Sequence, residues 1–225
     1  PPFPGFSDLL AGRLAIDDDL LQIDPGFPRF ARALCRELQH LHARGHRLLQ
    51  VEPFLDGLAE IHERFADEVT PAAILADKGL RDIYLAEKAA TGALIDFYAA
   101  SRTDDFPALI EAVCTFARRD AARIRLRDRL RARAIRDLAA TAPSLYVEAG
   151  FIHFDLFRRL RAVNAPGLWV EPLFLLQPEV DRLGVTRRNI GPGDVLTLHY
   201  VFHDRLPAAR AGLLAARSLI AVQLV

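Results

Sequence analysis

Two carboxylates and one imidazole stand where short apolar runs end. Arg47–Glu52 is a mostly apolar run closed by Pro53, and Ser144–Ala149 is a second one, followed by Gly150 and, three residues on, His153. Runs of this length bounded by turn residues have the pattern of buried strands. In open α/β sheets ligands sit in the crevice beyond the carboxyl ends of the strands. That rule selects Glu52, Glu148 and His153 as catalytic and metal-ligating candidates. Two carboxylates and an imidazole supply either a divalent metal site or a general acid–base pair. The plainer alternative is that Glu52 caps a helix start and His153 fills a first-turn position. If no metal is held, the carboxylates need a cationic partner, and Arg127 and Arg131 are the ligand-binding candidates for that place.

A second imidazole pair, His199 and His203, has i,i+4 spacing and is an alternative metal site. No acid in the pattern His-Glu-x-x-His lies between them, so the metalloprotease motif is absent. His40, His42 and His46 gather near a helix end, where cations complement the helix dipole. Arg118–Asp137 contains nine arginines and three acids, Asp120, Asp128 and Asp137. Such a helix can bind phosphate or nucleic acid. No aromatic residue is interleaved for stacking, however, and arginines placed all round a helix cannot reach one ligand. The expectation is a solvated, ion-paired helix and no nucleic-acid partner. Phosphate-loop, dinucleotide-fold, Gly-x-Ser-x-Gly and Cys-x-x-Cys motifs are all missing.

The elements that must position these groups follow from periodicity. Apolar residues recur at three and four over 27–44, a helix stopped by Gly45, and again over 54–66. Thr70 and Pro71 open a further short helix. Long helices are expected over about 79–100 and 104–140, the second broken near Arg118 where its character changes from apolar to charged. A helix follows Gly150 to about Val163, and a third strand is expected over Leu168–Leu175. Residues 178–183 read as one helical turn, Leu196–Phe202 as strand or helix, and 207–225 as helix. Strands at 47–52, 144–149 and 168–175 among helices imply an α/β fold. The expected architecture is a small parallel or mixed sheet covered by many helices, in a single domain over 1–225, with a large helical insertion over 54–140.

The 225 residues suit one domain, and equal counts of 29 basic and 29 acidic residues leave no net field toward nucleic acid or anionic membrane. No apolar run is long enough for a transmembrane helix. Cys35 and Cys114 lie in apolar-periodic stretches and read as buried thiols of a reducing, cytoplasmic compartment. The chain has no methionine, so the sequence is expected to be part of a longer product.

A charged helix, then Leu145, Tyr146, Val147, Glu148, Ala149, Gly150, Phe151, Ile152 and His153, then an apolar helix, is similar to the C-terminal half of TraB/ChaN-type proteins. That group includes haem-binding lipoproteins and Tiki-type metal-dependent proteases. The resemblance covers residues 118–165 and implies an α/β fold with acids and histidine gathered at strand ends. Glu148 and His153 match its strand-turn-His motif, and Glu52 resembles the acid ending an earlier strand. The group's Gly-x-x-His strand has no counterpart in this sequence. The functional expectation is a metal-assisted, hydrolase-like site using Glu52, Glu148 and His153 on a small-molecule or peptide ligand. The alternatives are a non-catalytic small-molecule or haem-type binding protein using the same cleft, and a helix-rich protein-interaction module.

Overall fold

The computed structural model describes residues 5–23, 26–162, 169–184 and 190–223. They form helices and no strand, so the expected α/β fold, with its parallel or mixed sheet, is corrected to an all-helical one. The chain divides into two units, Pro1–Glu52 and Pro53–Val225.

The first unit holds α1 (Phe6–Leu10), α2 (Ile16–Ile23) and α3 (Pro28–Ala43). Leu9, Leu20 and Cys35 make its small core, with Ile16 and Ala31 packed against them. The Gln39 side-chain amide donates to the Leu9 carbonyl at 2.7 Å, joining α3 to the end of α1.

The second unit is built on one long helix. Its elements are α4 (Pro53–Ala66), α5 (Pro71–Ala76), α6 (Arg81–Ala100), α7 (Phe106–Ala139), α8 (Phe154–Arg161), α9 (Gln177–Arg182), α10 (Pro192–Phe202) and α11 (Ala208–Gln223). Asp105 starts α7 by accepting from the Ala108 amide at 3.0 Å, and Pro107 stands at its first positions, where a missing N–H costs nothing. At 1.5 Å per residue the helix is about 51 Å long. It is not broken near Arg118. Its buried stripe runs through Val113, Cys114, Ala117, Ala121, Ile124, Asp128, Ala132 and Ile135 at spacings of three and four. The shift from apolar to charged occurs on the other faces, and those do not decide whether the helix continues.

Two apolar clusters pack on α7. One joins Val113, Ala117, Ala121 and Ile124 to Leu196, Tyr200 and Val201 of α10 and to Ala211 and Ala215 of α11. The other joins Leu126 to Phe54 and Ile61 of α4, Ile74 of α5 and Ile83 of α6. Small residues on α7 let α10 and α11 approach closely, and Leu196 and Ala215 are fully buried as a result. The stretch over 196–202, which periodicity left between strand and helix, lies inside α10.

The three expected strands are irregular segments without a ladder. No strand or ladder is formed over 47–52, 144–149 or 169–175 among the described residues, and the backbone bond found there is the local turn from the Gln177 amide to the Phe174 carbonyl at 3.0 Å; Leu168 lies outside them. Leu145 and Tyr146 are exposed, as are Trp169, Leu173, Phe174 and Leu175. A short apolar run is compatible with a buried strand, but only a paired neighbour makes it one, and periodicity carries no information about pairing.

This packing makes a direct contrast. Leu196→Ala, in the α7–α10–α11 core, should destabilise the protein by about 2–5 kcal/mol. Leu173→Ala, on an exposed segment, should stay within about 0.5 kcal/mol of the parent. Urea unfolding of both variants measures the difference, and a costly Leu173→Ala would contradict the all-helical core.

Candidate functional site

Asp128 is the one fully buried charged side chain among the described residues, with no exposed surface, in the apolar stripe of α7. A carboxylate taken out of water needs hydrogen-bond donors, or burying it costs several kcal/mol. Two arrive from the same short stretch of chain. Gly150 leads into a 3-10 turn, Phe151–His153, which brings the His153 ring against α7; His153 then forms the N-cap of α8. Its Nδ1 lies 2.6 Å from Asp128 Oδ1. The Leu156 amide, one of the orphan donors of the first turn of α8, donates to Asp128 Oδ2 at 3.1 Å. Asp128 therefore caps α8 from a neighbouring helix while it orients the imidazole.

The imidazole is held on both sides. Ile152, just before it, packs against the α7–α10–α11 core. Phe154, just after it, meets the Phe202 ring edge-on at 6.2 Å. The His153 side chain is 11% exposed, so its ring is nearly enclosed but not sealed. Nδ1 faces the carboxylate and Nε2 is the ring's other nitrogen, for which no partner is found among the described residues. Beside the dyad, Asp155 is buried and pairs with Arg159 at 2.6 Å one turn along α8.

The other sequence candidates are placed as follows within their own units. Glu52 ends the first unit immediately before α4, on an irregular segment rather than at a strand end. Glu148 is exposed on the approach to Gly150; its backbone carbonyl faces Arg131 Nη2 at a long 3.4 Å. The Arg127 guanidinium lies 5.8 Å from the Phe54 ring centre. His199 and His203 do meet at the end of α10, with ring centres 4.8 Å apart, and His199 Nε2 is 3.0 Å from the Arg205 carbonyl. Among the described residues no group of three or more His, Cys, Asp or Glu is placed to hold a metal ion. The expected metal-binding character thus finds no gathered set of three or more ligands among the described residues.

Asp128 is the residue that sequence reasoning passed over, as one acid among nine arginines. The signal was present. Asp128 falls four residues after Ile124 and four before Ala132, so an acid occupies a core position of an otherwise apolar stripe. Two of the arginines around it are closely ion-paired. Arg118 meets Glu111 at 2.5 Å, and Arg123 meets Asp120 at 2.6 Å and Glu87 at 3.1 Å. Neither cysteine offers an activated nucleophile. Burial pushes the Cys114 thiol above its ordinary value, with Glu111 adding to the effect, and burial and Asp19 do the same to Cys35.

The chain is 30% identical over 220 residues to an uncharacterized protein of Archaeoglobus fulgidus, a match spanning 98% of this chain and 70% of the archaeal one. It belongs to the same family as that protein. No family model and no solved structure matches the chain. Among the described residues no helix is long and apolar enough to cross a membrane.

Asp128→Ala should strand two donors, the His153 Nδ1–H and the Leu156 amide. At about 1–3 kcal/mol for each orphaned group, the loss should exceed about 2 kcal/mol. Asp128→Asn keeps an oxygen for the Leu156 amide and can donate to His153 Nδ1, so it should lose less than half as much. Chemical denaturation of the pair measures this; equal losses would mean the amide cannot replace the carboxylate as a cap.

Proposed function

We propose that this protein is a hydrolase-like enzyme in which His153 is the general base and Asp128 its positioning partner, acting on a small-molecule substrate. The observation that carries the reading is the 2.6 Å contact between His153 Nδ1 and a carboxylate with no exposed surface. A buried carboxylate on one ring nitrogen selects the tautomer in which the other nitrogen can take a proton, and it stabilises the imidazolium once formed. In the proposed step, water gives a proton to Nε2 as its oxygen attacks the substrate's electrophilic centre. The imidazolium then returns that proton to the leaving group. Asp128 remains a carboxylate throughout, hydrogen-bonded to Nδ1–H and to the Leu156 amide.

General acid–base catalysis by a positioned side chain contributes about 10²–10⁴-fold. Activity should be sought with chromogenic carboxylate and phosphate esters. Where turnover is found, His153→Gln should lower kcat/KM by about that factor, and Asp128→Asn should lower it while the fold is kept. The ¹⁵N shifts of His153 should report the proton on Nδ1 in the parent and on Nε2 in Asp128→Asn. A proton on Nε2 in the parent would remove the base from the mechanism.

A second reading is favoured by the Leu156 hydrogen bond: Asp128 and His153 form a clamp that ties α8 to α7 and perform no chemistry. Under it, His153→Gln would lower the unfolding midpoint and leave any turnover unchanged.

A further inference from the structure

Beside the dyad's helices, and resting on separate observations, a cleft of about 350 Å³ opens between α6, α7 and α8. Three guanidiniums line it, Arg125 and Arg129 one turn apart on α7 and Arg159 on α8, against one carboxylate, Asp82 of α6. Leu85 and Leu126 give it apolar wall. We propose that this cleft binds a small phosphorylated molecule, a phosphate monoester of metabolite size, through these arginines.

Charge and geometry carry the proposal. Arg129 approaches Asp82 only to 3.8 Å, and Arg125 approaches Asp204, itself almost fully exposed, only to 3.6 Å. Both separations exceed hydrogen-bond length, so these two cations retain donors for an anion. Arg125 is steadied by donating from Nη1 to the Tyr200 carbonyl at 3.2 Å, the end of α10. Arg159 is held through its Nε by Asp155 at 2.6 Å, an arrangement that places the guanidinium at the cleft without using all five of its donors. The three side chains are between 35% and 59% exposed, accessible to a solute yet backed by packed helices. Guanidiniums match phosphate oxygens bidentately, and two or more converging on one dianion give both orientation and affinity. The volume lies near the lower end of small-molecule sites, which suits a phosphate ester with a modest organic group rather than a polymer. Two further arginines of α7 are taken by acids instead, Arg118 by Glu111 and Arg123 by Asp120 and Glu87.

The test is calorimetric titration of the intact protein with inorganic phosphate, with phenyl phosphate and with the dicarboxylate succinate. Phosphate and phenyl phosphate should bind, phenyl phosphate more tightly, with affinity falling as salt is raised. Arg129→Gln and Arg125→Gln should each weaken phenyl phosphate binding roughly tenfold, the effect of losing one charge-assisted hydrogen bond. Arg119→Gln, an exposed arginine of α7 that is not part of the cleft, should leave binding within about twofold, and thermal melts should confirm that each variant is folded. Equal effects of Arg119→Gln and Arg129→Gln would reduce the binding to general surface charge and overturn the proposal. Absence of phosphate binding, or tighter binding of succinate than of phenyl phosphate, would overturn it as well. His153→Gln removes none of the cleft's guanidiniums; in a variant whose melt shows it folded, phosphate affinity and turnover are read separately, so failure of this proposal is distinguished from failure of the acid–base reading.

Discussion

The second unit depends on how one buried carboxylate is satisfied. Asp128 occupies a core position of α7, where an unpartnered acid would be among the most costly groups in a small protein. Its two oxygens take the Nδ1 of His153 and the amide of Leu156, both supplied by the start of α8. The cost of burial thereby becomes a positional constraint. α8 must begin where it does, and the 3-10 turn before it must present His153 to α7. Arg159 is then directed from α8 toward the cleft between α6 and α7, with Asp155 holding it.

The rest of the unit is arranged to let that contact exist. α7 carries Ala117, Ala121 and Ala132 in its buried stripe, small side chains that bring partner helices near its axis. α10 and α11 use that closeness to bury Leu196 and Ala215 completely. α8 reaches α10 through Phe154 and Phe202, and Arg158 lies 5.0 Å over the same Phe202 ring. The charged faces of α7 contribute little to stability by comparison, since exposed ion pairs are worth about 0–1 kcal/mol each. Their importance is in where unpaired guanidinium donors remain.

Much of the helical architecture was legible in the sequence. The helix expected over 27–44 spans Pro28–Ala43, and that over 54–66 spans Pro53–Ala66. The long helix over 104–140 is Phe106–Ala139, opened by the capping residue Asp105. These signals are local: a 3.6-residue period, a cap and a stop residue act within one or two turns. The candidate site was legible in part. His153 was selected, but for its place after a supposed strand, whereas its partner Asp128 lies 25 residues earlier in a helix read as solvated.

By itself, then, the sequence determined the main helices over 27–44, 54–66, 79–100 and 104–140 and, to within a few residues, where they begin and end. Tertiary structure alone decided that the apolar runs at 47–52, 144–149 and 169–175 have no ladder and that no sheet forms among the described residues. It also decided that His153 meets Asp128 rather than Glu148, and that Arg125, Arg129 and Arg159 share a cleft. The physical reason is range. Helical hydrogen bonds close between residues four apart, so their pattern is written locally. Strand pairing, the solvation of a buried charge and the convergence of cations depend on groups distant in the chain, and those are brought together only when the helices pack.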